Sequence, residues 1–373
     1  MVETRLSRRA VLGGAFAAAA SPLVLQTSVA AQDQPPLRVG VLVDTSGPAS
    51  IHGARQLLGV EHQAELIGRG VRLDVRDAQG DVANTRKAVA ALIEDRVDAL
   101  IGTSMPPTAA VVMEAAQATG VPLVVPTSPP PLPPFVFTSS PTSPQSRGGI
   151  MDALAAASVR RVGLLILDTL ATDKALKVYE EQAAIRGLEL AAVVKHTMTD
   201  TSLTQPMTAL VNEKPDGIIL ATPPPFSALG VRAAHELKWD GVLCCGPPAG
   251  HPGFLERAGE AAEGVRVVAP WFVLGDRIPD NLPNSWAVRA FVESFTAKHG
   301  PVGTYVGFGA DALAMLHHAY TGHRDRERAR TTLEHMTFVG LTGVFRMTPD
   351  NHAGIDDAAL TTLIVRKRQW AIL

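Results

Sequence analysis

The residues of this chain best suited to chemistry are the hydroxyls, carboxylates and prolines that close its short apolar runs. They stand in the stretches 46–52, 104–108, 127–129, 168–173, 222–226 and 246–251. Side chains of this kind at the ends of buried strands hold a small molecule by hydrogen bonds and shape. Covalent chemistry has little to work with. The sequence contains no Gly-x-Ser-x-Gly elbow, no His-Glu-x-x-His pair and no phosphate loop, and Gly307-Phe308-Gly309 is a lone fragment within a helical stretch. His317 and His318 are neighbours on one helix and cannot both face one metal. Cys244 and Cys245, the only cysteines, are adjacent in an apolar strand, where successive side chains point to opposite faces. They read either as two small buried thiols or as a vicinal disulfide lining a cleft, which would need a distorted backbone. Asp77, Asp81 and Asp98 read as loop and capping residues.

These stretches are positioned by a pattern that the chain writes twice. Arg38-Val39-Gly40-Val41-Leu42-Val43-Asp44-Thr45 returns as Arg161-Val162-Gly163-Leu164-Leu165-Ile166-Leu167-Asp168-Thr169. Likewise Val97 to Pro107 returns as Pro215 to Pro225. Continuous apolar runs without alternation predict strands covered on both faces, hence parallel sheets. Two such units predict an α/β fold of two doubly wound parallel-sheet lobes, with the carboxyl ends of the strands facing a shared cleft.

Met1 to Ala31 stands apart from this pattern. Ser7-Arg8-Arg9-Ala10-Val11-Leu12, an Ala-rich run and Ser28-Val29-Ala30-Ala31 follow the order of a twin-arginine export signal. No cysteine near the cleavage site offers a lipid anchor, and no later run is long enough to span a bilayer. Without these residues, which hold Arg5, Arg8, Arg9 and Glu3, 31 basic and 35 acidic residues remain, a net charge of −4. That balance does not invite nucleic acid. With 46% apolar residues the chain can fill two medium cores, while 5% aromatics argue against a stacking platform for sugars or bases.

The first lobe is expected over 35–138 plus 272–342 and the second over 139–271 plus 343–373. Helices follow from apolar periodicity near 57–67, 81–93 and 108–119 in the first, and near 173–186, 203–212 and 228–237 in the second. Val265 to Ala269 with Trp271 to Val273 is read as the second passage between lobes. Helices over 286–298 and 305–320 return to the first lobe, and repeated crossing leaves a hinge free mainly to open and close.

Leu37 to Leu42, Ser46-Gly47-Pro48-Ala49, His52-Gly53, Gln79-Gly80-Asp81, Val97 to Gly102, Gly120-Val121-Pro122-Leu123 and Thr138-Ser139-Ser140-Pro141 resemble the substrate-binding proteins of branched-chain amino acid ABC transporters, the leucine/isoleucine/valine type. Phe338 to Phe345 and Asp350 to Gly354 resemble that family's third crossing and final hairpin. The resemblance covers nearly the whole chain after Ala31 and implies a type I periplasmic binding fold that hands its ligand to a membrane permease. It also implies where the ligand lies. The family's carboxylate-holding positions fall at Pro106, Thr127 and Pro129, with Ser104, Met105, Thr108 and Ser128 beside them. The acidic residue that meets the ligand ammonium falls at Pro248. The aromatic of the second lobe falls at Ala171 or Thr172, and that of the first at His52, close to Ser46. Phe226 either walls the pocket or packs in the core.

Proline has no N–H to give, and a buried ammonium without a carboxylate is costly. The expected ligand is therefore not a free α-amino acid but an amide, an aromatic or aliphatic carboxylate, or an apolar metabolite, with a branched-chain amino acid as the alternative. The expected protein is an exported, non-catalytic, monomeric solute-binding protein working with an ABC permease and needing no cofactor or metal. A ligand sensor for a membrane kinase and a secreted thiol or metal enzyme are the rival readings.

Overall fold

The computed structural model describes residues 34–47, 50–127, 132–169 and 171–373. The twin-arginine stretch and the candidate residues Ser128 and Pro129 lie outside them. In chain order the first sheet is built from β1 (Leu37–Val43), β2 (Val71–Asp77), β3 (Ala99–Gly102), β4 (Leu123–Val125) and β5 (Val136–Thr138), with α1 (Ser50–Ile67), α2 (Val82–Glu94) and α3 (Pro106–Thr119) between them. All its pairings are parallel, in the order β2-β1-β3-β4-β5. The chain then passes through α4 (Ser143–Ala155) into β6 (Arg161–Leu167), α5 (Thr172–Ile185), β7 (Glu189–His196), α6 (Thr204–Asn212), β8 (Gly217–Ala221), α7 (Phe226–Glu236), β9 (Val242–Cys245), α8 (Pro252–Ala258) and β10 (Arg266–Pro270). Helices α9 (Ser285–His299), α10 (Thr304–Ala319) and α11 (Arg326–Glu334) precede the hairpin of β11 (Thr337–Val339) and β12 (Val344–Arg346), and β13 (Leu360–Arg366) and β14 (Gln369–Ile372) end the fold.

The second sheet runs β14-β13-β10-β9-β8-β6-β7. Its five parallel strands, read β7-β6-β8-β9-β10, repeat the order of the first sheet, so the duplication in sequence is a duplication of topology. In this order the crevice that takes ligands opens beyond the first and third strands of each unit. Here those are β1 with β3, and β6 with β8.

Both faces of each sheet are covered, which is why its central strands do not alternate. Leu37, Val39, Val41 and Val43 enter one core with Val60 of α1 and Leu313 and Leu316 of α10. Leu42, pointing the other way, joins Leu92, Leu100 and Val112 of the α2–α3 side. In the second lobe Cys245, Leu165, Leu220 and Val267 share one core, and Cys244, Leu164, Ile166 and Val268 share the opposite one. The two cysteines are therefore free, buried thiols on opposite faces of the sheet. Burial pushes the Cys244 thiol up to about 12 and Cys245 well above the usual thiol range.

The structure differs from the sequence reading at the second passage and at the edge of the second sheet. The stretch read as the second passage is mostly a strand: Arg266–Pro270 pairs in parallel with β9, and the passage proper is the 3-10 segment Trp271–Arg277 that follows. Val267 and Val268 are both buried, on opposite faces, which a chain leaving the sheet would not allow. The second sheet is also extended by two antiparallel strands, with β13 against β10 and β14 against β13.

Three chain crossings lie side by side and are tied together. Ser139 Oγ donates to Phe308 O (2.8 Å), Gln145 Nε2 donates to Ile355 O (2.9 Å) and Trp271 Nε1 donates to Ala358 O (3.0 Å). Asp311 of α10 holds the turn of the β11–β12 hairpin by accepting from Leu341 N, Thr342 N and Thr342 Oγ1. Burial raises its carboxyl to about 6 against those three donations. Among the described residues no helix is long and apolar enough to cross a membrane.

Candidate functional site

The first-lobe wall of the cleft is organised by Asp44, which follows β1 and is fully buried. Its Oδ1 accepts from Gly80 N (2.7 Å) and its Oδ2 from Ser104 N (3.1 Å), while its own N–H donates to Ser104 Oγ (3.2 Å). One carboxylate thus ties together the loops after β1, β2 and β3. Burial raises its pKa against these donations. Beside it Ser46 donates to Asp77 Oδ2 (2.6 Å), and Asp77 Oδ1 accepts from the Thr45, Ser46 and Gln79 amides. Burial opposes the Asp77 charge, but these donations outweigh it and hold the pKa below the usual carboxylate range.

The next loop opens α3. Thr108 is buried, and its hydroxyl is engaged with Thr103 Oγ1 (2.7 Å) and Met105 O (3.0 Å) inside the helix start. Met105 caps the helix without a side-chain bond, and Pro106 is its exposed first residue. That position suits proline, because its missing N–H would have had no partner in the helix. Thr127 is half-buried after β4, and its carbonyl accepts from Thr138 Oγ1 (3.4 Å).

In the second lobe Thr172 is buried at the start of α5, accepting from Thr169 N (2.7 Å) and donating to Leu167 O (3.0 Å), with the half-buried Ala171 before it. Asp168 and Asp173 both meet Lys195, at 3.4 and 3.7 Å. Phe226 is 6% exposed at the start of α7, in the lobe's core and 5.1 Å from the His196 ring. His196 Nε2 pairs with Thr222 Oγ1 at 2.9 Å. Pro248 is half-buried in the 3-10 turn Pro247–Ala249.

The lobes touch where this turn ends. Thr304, the first residue of α10, donates from its N (2.9 Å) and Oγ1 (3.2 Å) to Gly250 O. The neighbouring Tyr305 stacks on His52, ring centroids 4.4 Å apart. His52 is 9% exposed, and burial followed by the nearby His251 lowers its pKa to about 4. Sequence reasoning marked His52 and the loop up to His251 but missed Asp44, Arg55 and Tyr305. Gly303-Thr304-Tyr305 at the head of a long apolar helix was the available signal.

Two sheets of one topology, joined by three crossings and meeting at the ligand-side loops, define a two-lobed small-molecule-binding protein of the type I kind. The chain belongs to the periplasmic binding protein family, whose model matches residues 36–368. That family is one of solute-binding proteins, not enzymes. Among curated proteins no sequence relative matches the chain. An extracellular ligand-binding receptor from Rhodopseudomonas palustris HaA2 superposes with a TM-score of 0.83 at 21% identity, covering 91% of this chain and 99% of its own. A leucine-binding protein from Thermotoga maritima gives 0.78 at 21% identity, covering 90% and 97%. An ABC-transporter solute-binding protein from R. palustris in complex with benzoate gives 0.77 at 18% identity, covering 91% and 95%.

Proposed function

We propose that the protein is exported by its twin-arginine signal and captures a small organic carboxylate or amide lacking an α-ammonium group, in the cleft between its lobes, for delivery to an ABC permease. It acts as a monomer and without catalysis. The observation that carries this reading is the commitment of the cleft's carboxylates. Asp44 and Asp77 are filled by N–H and O–H donors of their own lobe, Asp168 and Asp173 share Lys195, and the loop 246–251 reads Gly-Pro-Pro-Ala-Gly-His. An ammonium entering this cleft would exchange its water for carboxylate oxygens already engaged by donors of the protein, and would lose hydrogen bonds that the cleft does not return.

Donors for an acid or amide are better supplied. His251 Nδ1 accepts from Gly253 N, which leaves its buried Nε2–H, without a protein partner, as a donor on the loop 246–251. A benzoate complex of a protein with the same fold supports a carboxylate without an amino group as a ligand for this architecture. A thermal-shift screen of the chain after Ala31 tests the reading. Ligand at about 100 times its Kd adds roughly 2.7 kcal/mol, so benzoates, aliphatic carboxylates or amides should raise Tm where leucine, isoleucine and valine do not. A strong shift with any of those three amino acids would overturn it.

A further inference from the structure

The seam between the lobes holds buried nitrogen atoms that no protein group satisfies. Nε2 of His52, Nε2 of His251 and Nε of Arg55 are all without a partner. Buried polar atoms in that condition call for an explanation. Their placement gives one. His52 stacks on Tyr305. His251 adjoins Gly250, whose carbonyl accepts from Thr304. A Cβ on Gly303 would stand 3.0 Å from Gly250 O and 3.4 Å from His251 Cα. The three residues that open α10 therefore have His52 of the first lobe against them on one side and His251 of the second on the other.

The protonation pattern follows from hydrogen bonding. His251 Nδ1 accepts from Gly253 N at 2.9 Å, so neutral His251 carries its proton on Nε2, as a donor. Two ring nitrogens, one from each lobe, are thus buried without partners in one seam, and a proton on one ring opposes a proton on the other. Charging both would place two cations there beside Arg55 and Arg257, with Glu256 as the opposing charge.

We propose that His52 and His251 form a proton-sensitive latch between the lobes, which holds the cleft closed while both are neutral and opens it when they take up protons. The groups facing the pair are Arg55 from α1, Tyr305 from α10, and Glu256 and Arg257 from α8. Burial, with the neighbouring positive charges, lowers both histidines to about 4 in the arrangement seen here. Exposed in an open cleft they would titrate near 6.5. Between these values the open form binds protons that the closed form refuses. Each pH unit lost below about 6 then favours opening by up to about tenfold per histidine and about a hundredfold for the pair. The latch rests on the reading that the lobes close on a ligand, but its test needs none.

Small-angle scattering and amide exchange at Thr304, whose N–H bridges the seam, would be followed from pH 7.5 to 4.5 on the ligand-free chain, with far-UV circular dichroism confirming that the lobes stay folded. The expected result is a growing radius of gyration and a loss of Thr304 protection at least about tenfold greater than in the His52→Gln/His251→Gln variant. Protection independent of pH, or the same transition in the variant, would overturn the proposal. NMR titration of the wild-type histidines guards against a variant that fails to fold. Both should titrate well below 6 while Thr304 is protected, and ordinary values near 6.5 with the seam still protected would also overturn it.

Discussion

Gly59→Ala and Gly309→Ala put a methyl group where α1 and α10 touch backbone to backbone. A Cβ at Gly59 would stand 2.1 Å from Val306 O, and one at Gly309 would stand 2.2 Å from Gln56 O. Real Cβ atoms essentially never come within 3.0 Å, so the helices must part by about 0.9 Å. The obstacles are carbonyls of the facing helix, which cannot rotate aside as a side chain would. Overpacking of this kind costs roughly 1–3 kcal/mol, and here the upper part of that range applies. Alanine's better helix propensity returns up to about 1 kcal/mol, leaving a net loss of about 1–2 kcal/mol. At an unfolding entropy of about 2.1 cal/mol/K per residue, 1 kcal/mol moves a chain of this size by roughly 1–2 °C, so Tm should fall by roughly 1–4 °C in each variant. Urea denaturation should show a lower midpoint at unchanged m. Because α1 carries His52 and the first turn of α10 carries Tyr305, ligand affinity should fall as well. A neutral or stabilising effect in both variants, which propensity alone would give, would refute the reasoning.

Removing the Asp44 carboxylate by Asp44→Ala leaves the Gly80 and Ser104 amides unsatisfied. It should cost about 2–3 kcal/mol in urea denaturation and weaken ligand binding, with Asp44→Asn losing less. The two thiols should resist alkylation in the native protein and react together on unfolding, with mass spectrometry finding no disulfide, since burial keeps both protonated. Stability should decline in acid. His52 and His251 are held at about 4 when folded against about 6.5 unfolded, so the unfolded chain binds the extra protons. Their contribution is complete above about pH 6.5 and is lost as the pH falls towards about 4, by at most roughly 3 kcal/mol each and by less where opening of the cleft lets the folded chain take up the same protons. Asp311, raised to about 6, acts in the opposite sense and favours folding below that pH. Chemical denaturation from pH 7.5 to 4 should show a net loss that His52→Gln reduces.

What was legible in the sequence was set by burial on two faces. Val39 to Val43 and Val162 to Ile166 read as parallel strands because a covered strand cannot alternate, and the repeated order of the units was visible in the repeated residues. The β13–β14 hairpin was not legible. Its turn, Arg366-Lys367-Arg368-Gln369, holds Lys367 and Arg368 at φ 51° and 59°. Asparagine and glycine usually announce that left-handed geometry. Helix α11 was hidden by its charge, since Arg326–Glu334 buries only Ala329, Leu333 and Glu334. For the cleft, the loops proposed to bear ligand groups were read as the ends of apolar runs. The meeting of His52 with Tyr305 and His251 was not, because those residues approach only when the chain has crossed between lobes and returned.

The most direct test of the account is isothermal titration of the chain after Ala31 with matched pairs that differ only in the α-amino group, 4-methylpentanoate against leucine and phenylacetate against phenylglycine. An ammonium whose hydrogens find only carboxylate oxygens already engaged should cost at least about 1.4 kcal/mol, or tenfold in Kd. The deaminated member of each pair is expected to bind at least about tenfold more tightly than its amino acid. Tighter binding of leucine than of 4-methylpentanoate would contradict it and return the cleft to amino-acid recognition.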